Sequence, residues 1–145
     1  MRFMPWSGSI ALWDERFQQL LASCPAPERG QREWTAFLRS DLAARLAIPG
    51  TLIHTEAPFH AALKDGSILD GVMDLIALSP TRDRWLLADW KAEEEDHASE
   101  VLLRKYAGQL EAYEQALGGI TLLPVDVCLY STAAGAVPYP SRAVA

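Results

Sequence analysis

The chain has few of the residues that build covalent or metal-bridged frameworks. Its 145 residues include two cysteines, Cys24 and Cys128, and three histidines. Two cysteines in apolar surroundings are too few for a four-thiolate cluster or a disulfide framework. The histidines, His54, His60 and His97, have no spacing typical of metal ligands, so we interpret them as surface or structural residues. Reduced thiols fit an intracellular protein, and we expect a cytoplasmic location.

Long apolar runs and an excess of basic residues are also missing. No stretch approaches the ~20 apolar residues that a membrane-spanning helix needs, and the N-terminus does not resemble a targeting signal. The net charge of −6 argues against broad nonspecific adhesion to nucleic acid through a basic face. We therefore expect a soluble protein without a membrane partner.

Half of the residues are hydrophobic, and the length suits a single domain with its own core. Apolar residues at three- and four-residue steps predict three helices, over residues 9–23, 31–47 and 97–117. Ser9 is a plausible N-cap of the first helix, and Gly118-Gly119 would end the third. The acidic segment 93–96 fits a solvated helix start, where carboxylates complement the helix dipole.

Runs of aliphatic, aromatic and β-branched residues predict five strands, over residues 51–63, 71–78, 85–91, 121–132 and 135–139. Pro58 places the first strand at a sheet edge or a bulge. Asp65-Gly66 suits a hairpin turn, and the polar segment 80–84 suits a second one. The order α-α-β-β-β-α-β-β predicts an α/β fold with a mixed central sheet flanked by helices.

Three charged residues emerge from strands that otherwise read as buried core. Asp74 lies among aliphatic residues, and Asp89 and Lys91 follow an apolar run. Lone charges there are costly, which favours charge partners or a metal ion. Asp89 and Lys91 share one face of their strand while Trp90 points to the other, and a hairpin can bring Asp74 to the same face. Two converging carboxylates form an oxygen-rich site of the kind that Mg²⁺ accepts.

Three further polar residues add to this pattern. Glu56 precedes Pro58 on the first strand and can reach the face of Asp74, although a solvated edge-strand carboxylate explains it too. Gln109 and Tyr113 are one turn apart on the helical stripe that should face the sheet. An amide there needs a partner. Either the pair braces the strands or it contacts a phosphate or a base.

Four motifs together resemble a known family in order and spacing. They are Glu56-Ala-Pro-Phe59, Gly71-Val-Met-Asp74, Asp89-Trp-Lys91 and Gln109-Leu-Glu-Ala-Tyr113. This string resembles the RecB-type nuclease domain of the PD-(D/E)XK superfamily over about residues 32–132. The lead-in helical segment 37–42 is similar to the one that precedes the nuclease motifs of AddA-type helicase-nucleases.

The resemblance implies a restriction-endonuclease-like fold and hydrolysis of DNA phosphodiesters with Mg²⁺ or Mn²⁺, with exonuclease action expected. It implies Asp74, Asp89 and Glu56 as catalytic metal ligands and Lys91 as the catalytic lysine. Gln109 and Tyr113 match a helical motif that is tied to DNA contact and site support.

The resemblance also implies a setting. We expect one domain, with a helical lead-in over 1–50, a nuclease core over 51–140 and a tail over 141–145. This domain would be the C-terminal nuclease part of a larger ATP-dependent helicase-nuclease that acts in DNA recombination and repair. Its expected partners are DNA, a helicase region of the same polypeptide and a further subunit. The sequence has no G-x-x-x-x-G-K-[ST] loop, so ATP use would belong to another region.

Two departures of the chain from the family concern metal binding. Residues 1–50 contain no histidine, where relatives usually carry a metal-binding one, and two cysteines cannot build the four-cysteine iron-sulfur cluster of some relatives. One alternative is therefore a nuclease fold kept as an inactive module for DNA binding or scaffolding. A third interpretation is a small α/β protein in which Asp89 and Lys91 form only a salt bridge, far from Asp74.

Overall fold

A computed structural model describes residues 10–91, 99–131 and 135–139. The predicted cap at Ser9, the acidic segment 93–96 and His97 lie outside the described residues. The elements in chain order are α1 Ile10–Leu21, α2 Pro27–Leu38, α3 Asp41–Leu46, β1 Leu52–Ala62, β2 Ile68–Leu78, β3 Trp85–Lys91, α4 Ser99–Thr121, β4 Val125–Ser131 and β5 Gly135–Tyr139.

The described strands form one mixed sheet in the order β1-β2-β3-β4-β5. Neighbouring strands pair antiparallel, except β3 and β4, which are parallel. Parallel neighbours need a long crossover connection, and α4 provides it. The predicted α/β class and the mixed sheet flanked by helices are confirmed.

The sheet lies between two helical layers, each with its own hydrophobic core. On one face, α1, α2 and α3 bury large aromatic and aliphatic side chains such as Trp13, Trp34 and Phe37. On the other face, α4 packs Leu110 and Leu117 against the strands. A sheet covered on both sides explains why β3 and β4 read as almost continuous apolar runs.

Alternation along β3 decides which of its side chains face α4. Leu86 and Ala88 belong to the core with α1–α3, whereas Leu87 belongs to the core with α4. Asp89 and Lys91 continue the second series and face α4, and Trp90 packs against the first core. The prediction that Trp90 points away from Asp89 and Lys91 is confirmed.

Both predicted hairpins are present. In the first, Gly66 has φ 86°, and the Leu63 amide donates to the Ser67 carbonyl at 2.8 Å. In the second, the Ser79 amide donates to the Arg84 carbonyl at 3.0 Å, which closes the polar turn between β2 and β3. The first strand lies at the edge of the sheet, as Pro58 indicates.

The predicted helix over residues 31–47 is wrong in its bounds, because two helices occupy this region. Ser40 has an extended conformation and accepts a hydrogen bond from the Ala43 amide at 3.2 Å, so it is the N-cap of α3. Its hydroxyl also donates to the Phe37 carbonyl at 2.6 Å. A serine followed by aspartate is a capping signal, and here it overrides the continuous apolar stripe.

The prediction that Gly118-Gly119 ends the third helix is also wrong. The Leu122 amide donates to the Gly118 carbonyl at 2.8 Å, so helical bonding continues past both glycines to Thr121. Leu122, with φ 61°, adopts the left-handed conformation that often follows a helix. Both glycines are therefore helical, and the helix ends at Thr121.

Candidate active site

The candidate site lies where β2 and β3 diverge. Their backbone pairing extends from the turn to Leu75 and Ala88 and stops there. Met73 and Ile76 both pack in the α4 core while Leu75 packs on the opposite face, so the alternation of β2 breaks next to Asp74. This irregularity separates the strands and leaves room between them for side chains.

The Asp74 carboxylate replaces part of the missing backbone pairing. Its Oδ2 accepts a hydrogen bond from the Trp90 backbone amide at 2.7 Å. A buried strand amide without a backbone partner is costly, and a charged acceptor makes a strong substitute. Asp74 is therefore fixed across the gap, next to the end of β3.

Asp74 and Asp89 form a close carboxyl pair. Asp89 is only 2% exposed, and the Asp74 carboxyl lies within hydrogen-bonding reach of it. Burial, and then the neighbouring Asp74, raise the pKa of Asp89 from an ordinary value of 3.8 to about 6, against the opposing effect of Lys91. Two carboxylates side by side repel each other, so the pair attracts either a proton or a cation.

Lys91 supplies a positive charge at the edge of this pair. Its Nζ is 3.2 Å from Asp89 Oδ2, and its side chain is 22% exposed. Asp89 Oδ2 is buried and, among the described residues, has no hydrogen-bond partner of good geometry. The ion pair thus neutralises part of the buried charge but leaves this oxygen incompletely satisfied.

Gln109 holds the lysine from α4. The Lys91 ammonium donates to Gln109 Oε1 at 3.0 Å, and Gln109 Nε2 donates to the Tyr113 hydroxyl at 3.1 Å. The amide therefore has a defined orientation, with its oxygen towards the ammonium. Gln109 and Tyr113 make the internal contacts that the bracing interpretation requires.

Tyr113 links this chain of hydrogen bonds to the first hairpin. Its ring packs edge-on against Phe59, with ring centroids 5.2 Å apart and an interplanar angle of 78°. A Cβ atom at Gly71 would lie 3.0 Å from the Phe59 ring, so glycine allows the two strands and α4 to approach. The four sequence motifs thus meet through direct contacts.

Glu56 is the remaining predicted site residue. Its position in β1 is level with Asp74, because the flanking pairs are Thr55 with Leu75 and Ala57 with Met73. Glu56 is exposed and has φ 50°, an uncommon conformation for a residue other than glycine. No group of three or more His, Cys, Asp or Glu that could hold a metal occurs within 10–91, 99–131 and 135–139. Its role as a metal ligand stays a prediction.

Two participants were not singled out from the sequence. The Trp90 amide contributes through its backbone, which no residue-type pattern reveals. Tyr106 has the spacing of the apolar stripe of the helix, yet its ring centroid lies 4.6 Å from Lys91 Nζ. Its position one turn before Gln109 was a signal that it shares the face towards Lys91.

The histidines remain outside the site where they are described. His54 and His60 are exposed on β1, and His60 pairs with Asp70 across the hairpin. The third interpretation, in which Asp74 is remote from Asp89 and Lys91, does not agree with this geometry.

The chain matches no protein-family model and no curated protein. Among the described helices, none is both long and apolar enough to cross a membrane.

Proposed function

We propose that the protein is a metal-dependent nuclease that hydrolyses phosphodiester bonds in DNA. The observation that carries the proposal is the pair of buried Asp89 and half-buried Asp74 beside Lys91, at the point where β2 and β3 separate. Paired carboxylates and a fixed ammonium are suited to a reaction in which negative charge grows on a phosphate. The resemblance of the four motifs to RecB-type nucleases, and with it a restriction-endonuclease-like fold, supports the same reaction.

The residues at the site fit a divalent cation. Asp89 Oδ2 is a buried carboxylate oxygen that lacks a hydrogen-bond partner among the described residues, and Asp74 adds a second carboxylate. Such hard oxygen donors suit Mg²⁺ or Mn²⁺, and Glu56 would be a further ligand. When bound, the ion would polarise a phosphoryl oxygen and lower the pKa of a coordinated water.

Lys91 would act directly on the reacting groups. Gln109 Oε1 accepts a hydrogen bond from the Lys91 ammonium at 3.0 Å, and the partly exposed lysine side chain is accessible to a substrate. From there Lys91 can donate a hydrogen bond to a phosphate oxygen or hold the attacking water. Gln109 and Tyr113 support this lysine and would border the bound DNA.

The same resemblance suggests where the reaction would be used. We propose exonuclease action in DNA recombination and repair, with this domain joined to a helicase region and assisted by a partner subunit. The net charge of −6 gives little general attraction for DNA, so a helicase region that delivers the strand would complement the nuclease site.

A second candidate function is a nuclease fold that binds DNA without cutting it. It is favoured by the absence of a group of three His, Cys, Asp or Glu residues around a common point in the part of the chain that the structure describes. Under this candidate, Asp74 and Asp89 would share a proton, and the fold would serve as a docking module.

Cleavage of a labelled linear DNA with Mn²⁺ tests the proposal. We expect the wild type to cut and Asp89→Asn and Lys91→Ala to lose at least about 100-fold in rate, as is common when charged catalytic groups are removed. Glu28→Gln and Lys64→Ala, both at exposed positions, serve as matched controls and should keep full activity. Cleavage that survives both site substitutions would rule out the mechanism.

Calorimetric titration with Mn²⁺ separates the two candidates. The nuclease requires a binding site that disappears in Asp74→Asn. A docking module would release no binding heat that depends on Asp74, whether or not the protein binds DNA.

A further inference from the structure

Beside the candidate active site, two lysine ammonium groups converge on one aromatic ring. The Tyr106 ring centroid is 4.6 Å from Lys91 Nζ and 5.1 Å from Lys105 Nζ. Both distances lie within the range in which the ring quadrupole attracts a cation. The ring therefore attracts both ammonium groups, of which that of Lys91 is also bound by Asp89 and Gln109.

The helix places Lys105 in a specific relation to the reaction centre. Lys105 and Gln109 are four residues apart, so they lie on the same side of α4, about 6 Å apart along its axis. Gln109 binds Lys91, whereas Lys105 is exposed. Because both ammonium groups lie against one ring, they are close to each other, and Lys105 is the more exposed of the two residues. Two neighbouring ammonium groups can bind neighbouring phosphates of one nucleic acid strand.

The two halves of α4 differ in net charge. The first half contains Glu100, Arg104 and Lys105, whereas the second half contains the acidic residues Glu111 and Glu114. A strand that carries negative charge is attracted to the first half and repelled by the second. The helix can therefore guide the direction in which a polyanion leaves the site.

We propose that Lys105 and Tyr106 form a second phosphate-binding site, which takes the phosphate next to the one at Lys91 in a DNA strand. Lys105 binds this phosphate as a charge-assisted donor, and the Tyr106 ring keeps the two ammonium groups in place. The assignment rests on the proposed function, because that function identifies the anion as part of a nucleic acid. Lys105 would bind the substrate and take no part in the chemical step.

Fluorescence anisotropy with a labelled single-stranded oligodeoxynucleotide tests the site. The measurement uses Asp89→Asn as the parent protein, without metal, so that cleavage does not interfere. We expect Lys105→Ala to weaken binding about fivefold and to reduce the salt dependence by about one released counterion. Lys64→Ala, which removes an exposed lysine from the β1–β2 turn, should leave both quantities unchanged.

Substitutions at Tyr106 test the role of the ring. Tyr106→Phe keeps the aromatic face and should bind as the parent does, whereas Tyr106→Leu should lose affinity to a similar extent as Lys105→Ala. In NMR spectra, ring-current shifts of the Lys91 and Lys105 Cε protons should be present in the parent protein and in Tyr106→Phe. Their absence from the parent would show that the two ammonium groups do not lie over the ring.

The outcomes separate this site from the nuclease itself. If Lys105→Ala binds the oligonucleotide as well as Lys64→Ala does, the second phosphate site is excluded, whatever the cleavage assay gives. Failure of the parent to bind the oligonucleotide would exclude it as well. If the wild type cuts no DNA with Mn²⁺ but Lys105 still governs binding, the phosphate site stands and the nuclease proposal fails.

Discussion

At the scale of single residues, the buried Asp89 carboxylate is energetically unfavourable in the metal-free protein. It is almost fully buried, it contacts the Asp74 carboxyl, and one of its oxygens accepts no well-formed hydrogen bond among the described residues. The single lysine beside it offsets only part of this cost. Incompletely compensated buried charge is typical of a functional site, where residues that bind a ligand lower the stability of the free protein.

The raised pKa of Asp89 gives a defined pH dependence of stability in the metal-free protein. The folded state holds this proton up to about pH 6, whereas an unfolded aspartate releases it near pH 3.8. The stabilising contribution is therefore complete below pH 3.8 and is lost as the pH rises through about 6. With a chelator present, urea unfolding should show this loss in the wild type.

Asp89→Asn should remove that pH dependence. The amide cannot ionise, so at pH 7.5 we expect the metal-free variant to be about 1 kcal/mol more stable than the wild type. At pH 4 the two proteins should differ little. Glu28→Gln is the control, and it should follow the wild-type curve. An Asp89→Asn variant that is less stable than the wild type at pH 7.5 would contradict the assignment of a strained carboxylate.

At the scale of elements, the site depends on the close approach of α4 to β1 and β2. Gln109 and Tyr113 reach the strands from α4, and Gly71 leaves the space that the Phe59 ring fills. The break in alternation at Asp74 then separates β2 from β3. The helix and the strand irregularity together create the gap into which the carboxylates project.

Gly71→Ala should disturb this contact, because its Cβ would lie 3.0 Å from the Phe59 ring. We expect a loss of about 1–3 kcal/mol in the free energy of unfolding, as for other overpacked sites. Gly108→Ala is the matched control in α4, where no described atom lies within 4 Å of the added Cβ. It should stabilise the protein by up to about 1 kcal/mol, since alanine favours a helix.

Urea titration of both glycine variants measures the difference. Equal stabilities of Gly71→Ala and the wild type would show that Phe59 can move without cost, and that the contact with Tyr113 does not define the site.

At the scale of the whole molecule, the site lies where ligands commonly bind in α/β folds. Lys91 and Ser131 are paired at the carboxyl ends of the parallel strands β3 and β4. The connection between these two strands contains α4. Crevices outside the carboxyl ends of parallel strands are frequent binding sites, because the connecting segments leave space there.

Much of this arrangement was predictable from local patterns. Aliphatic runs located β2, β3 and β4, and the turn chemistry at Asp65-Gly66 located the first hairpin. Charged residues within those runs identified Asp74, Asp89 and Lys91. These signals succeed because burial penalises an unpartnered charge wherever it occurs in a core strand.

The remaining features depend on contacts between distant residues. Ser40 divides a continuous apolar stripe through one capping bond, and Gly118-Gly119 remains helical because the following residues still bond to it. The Asp74 bond to the Trp90 amide exists only because β2 and β3 diverge. Tyr106 reads as core in the sequence, since its spacing is that of the helical stripe. Pattern alone cannot separate such positions from ordinary packing.

The most direct test of the central claim is anomalous diffraction from crystals of the wild-type protein soaked in Mn²⁺. Our account predicts a manganese peak in contact with carboxylate oxygens of both Asp74 and Asp89, and no such peak in crystals of Asp74→Asn. A fully soaked wild-type crystal without manganese between these two residues would contradict it.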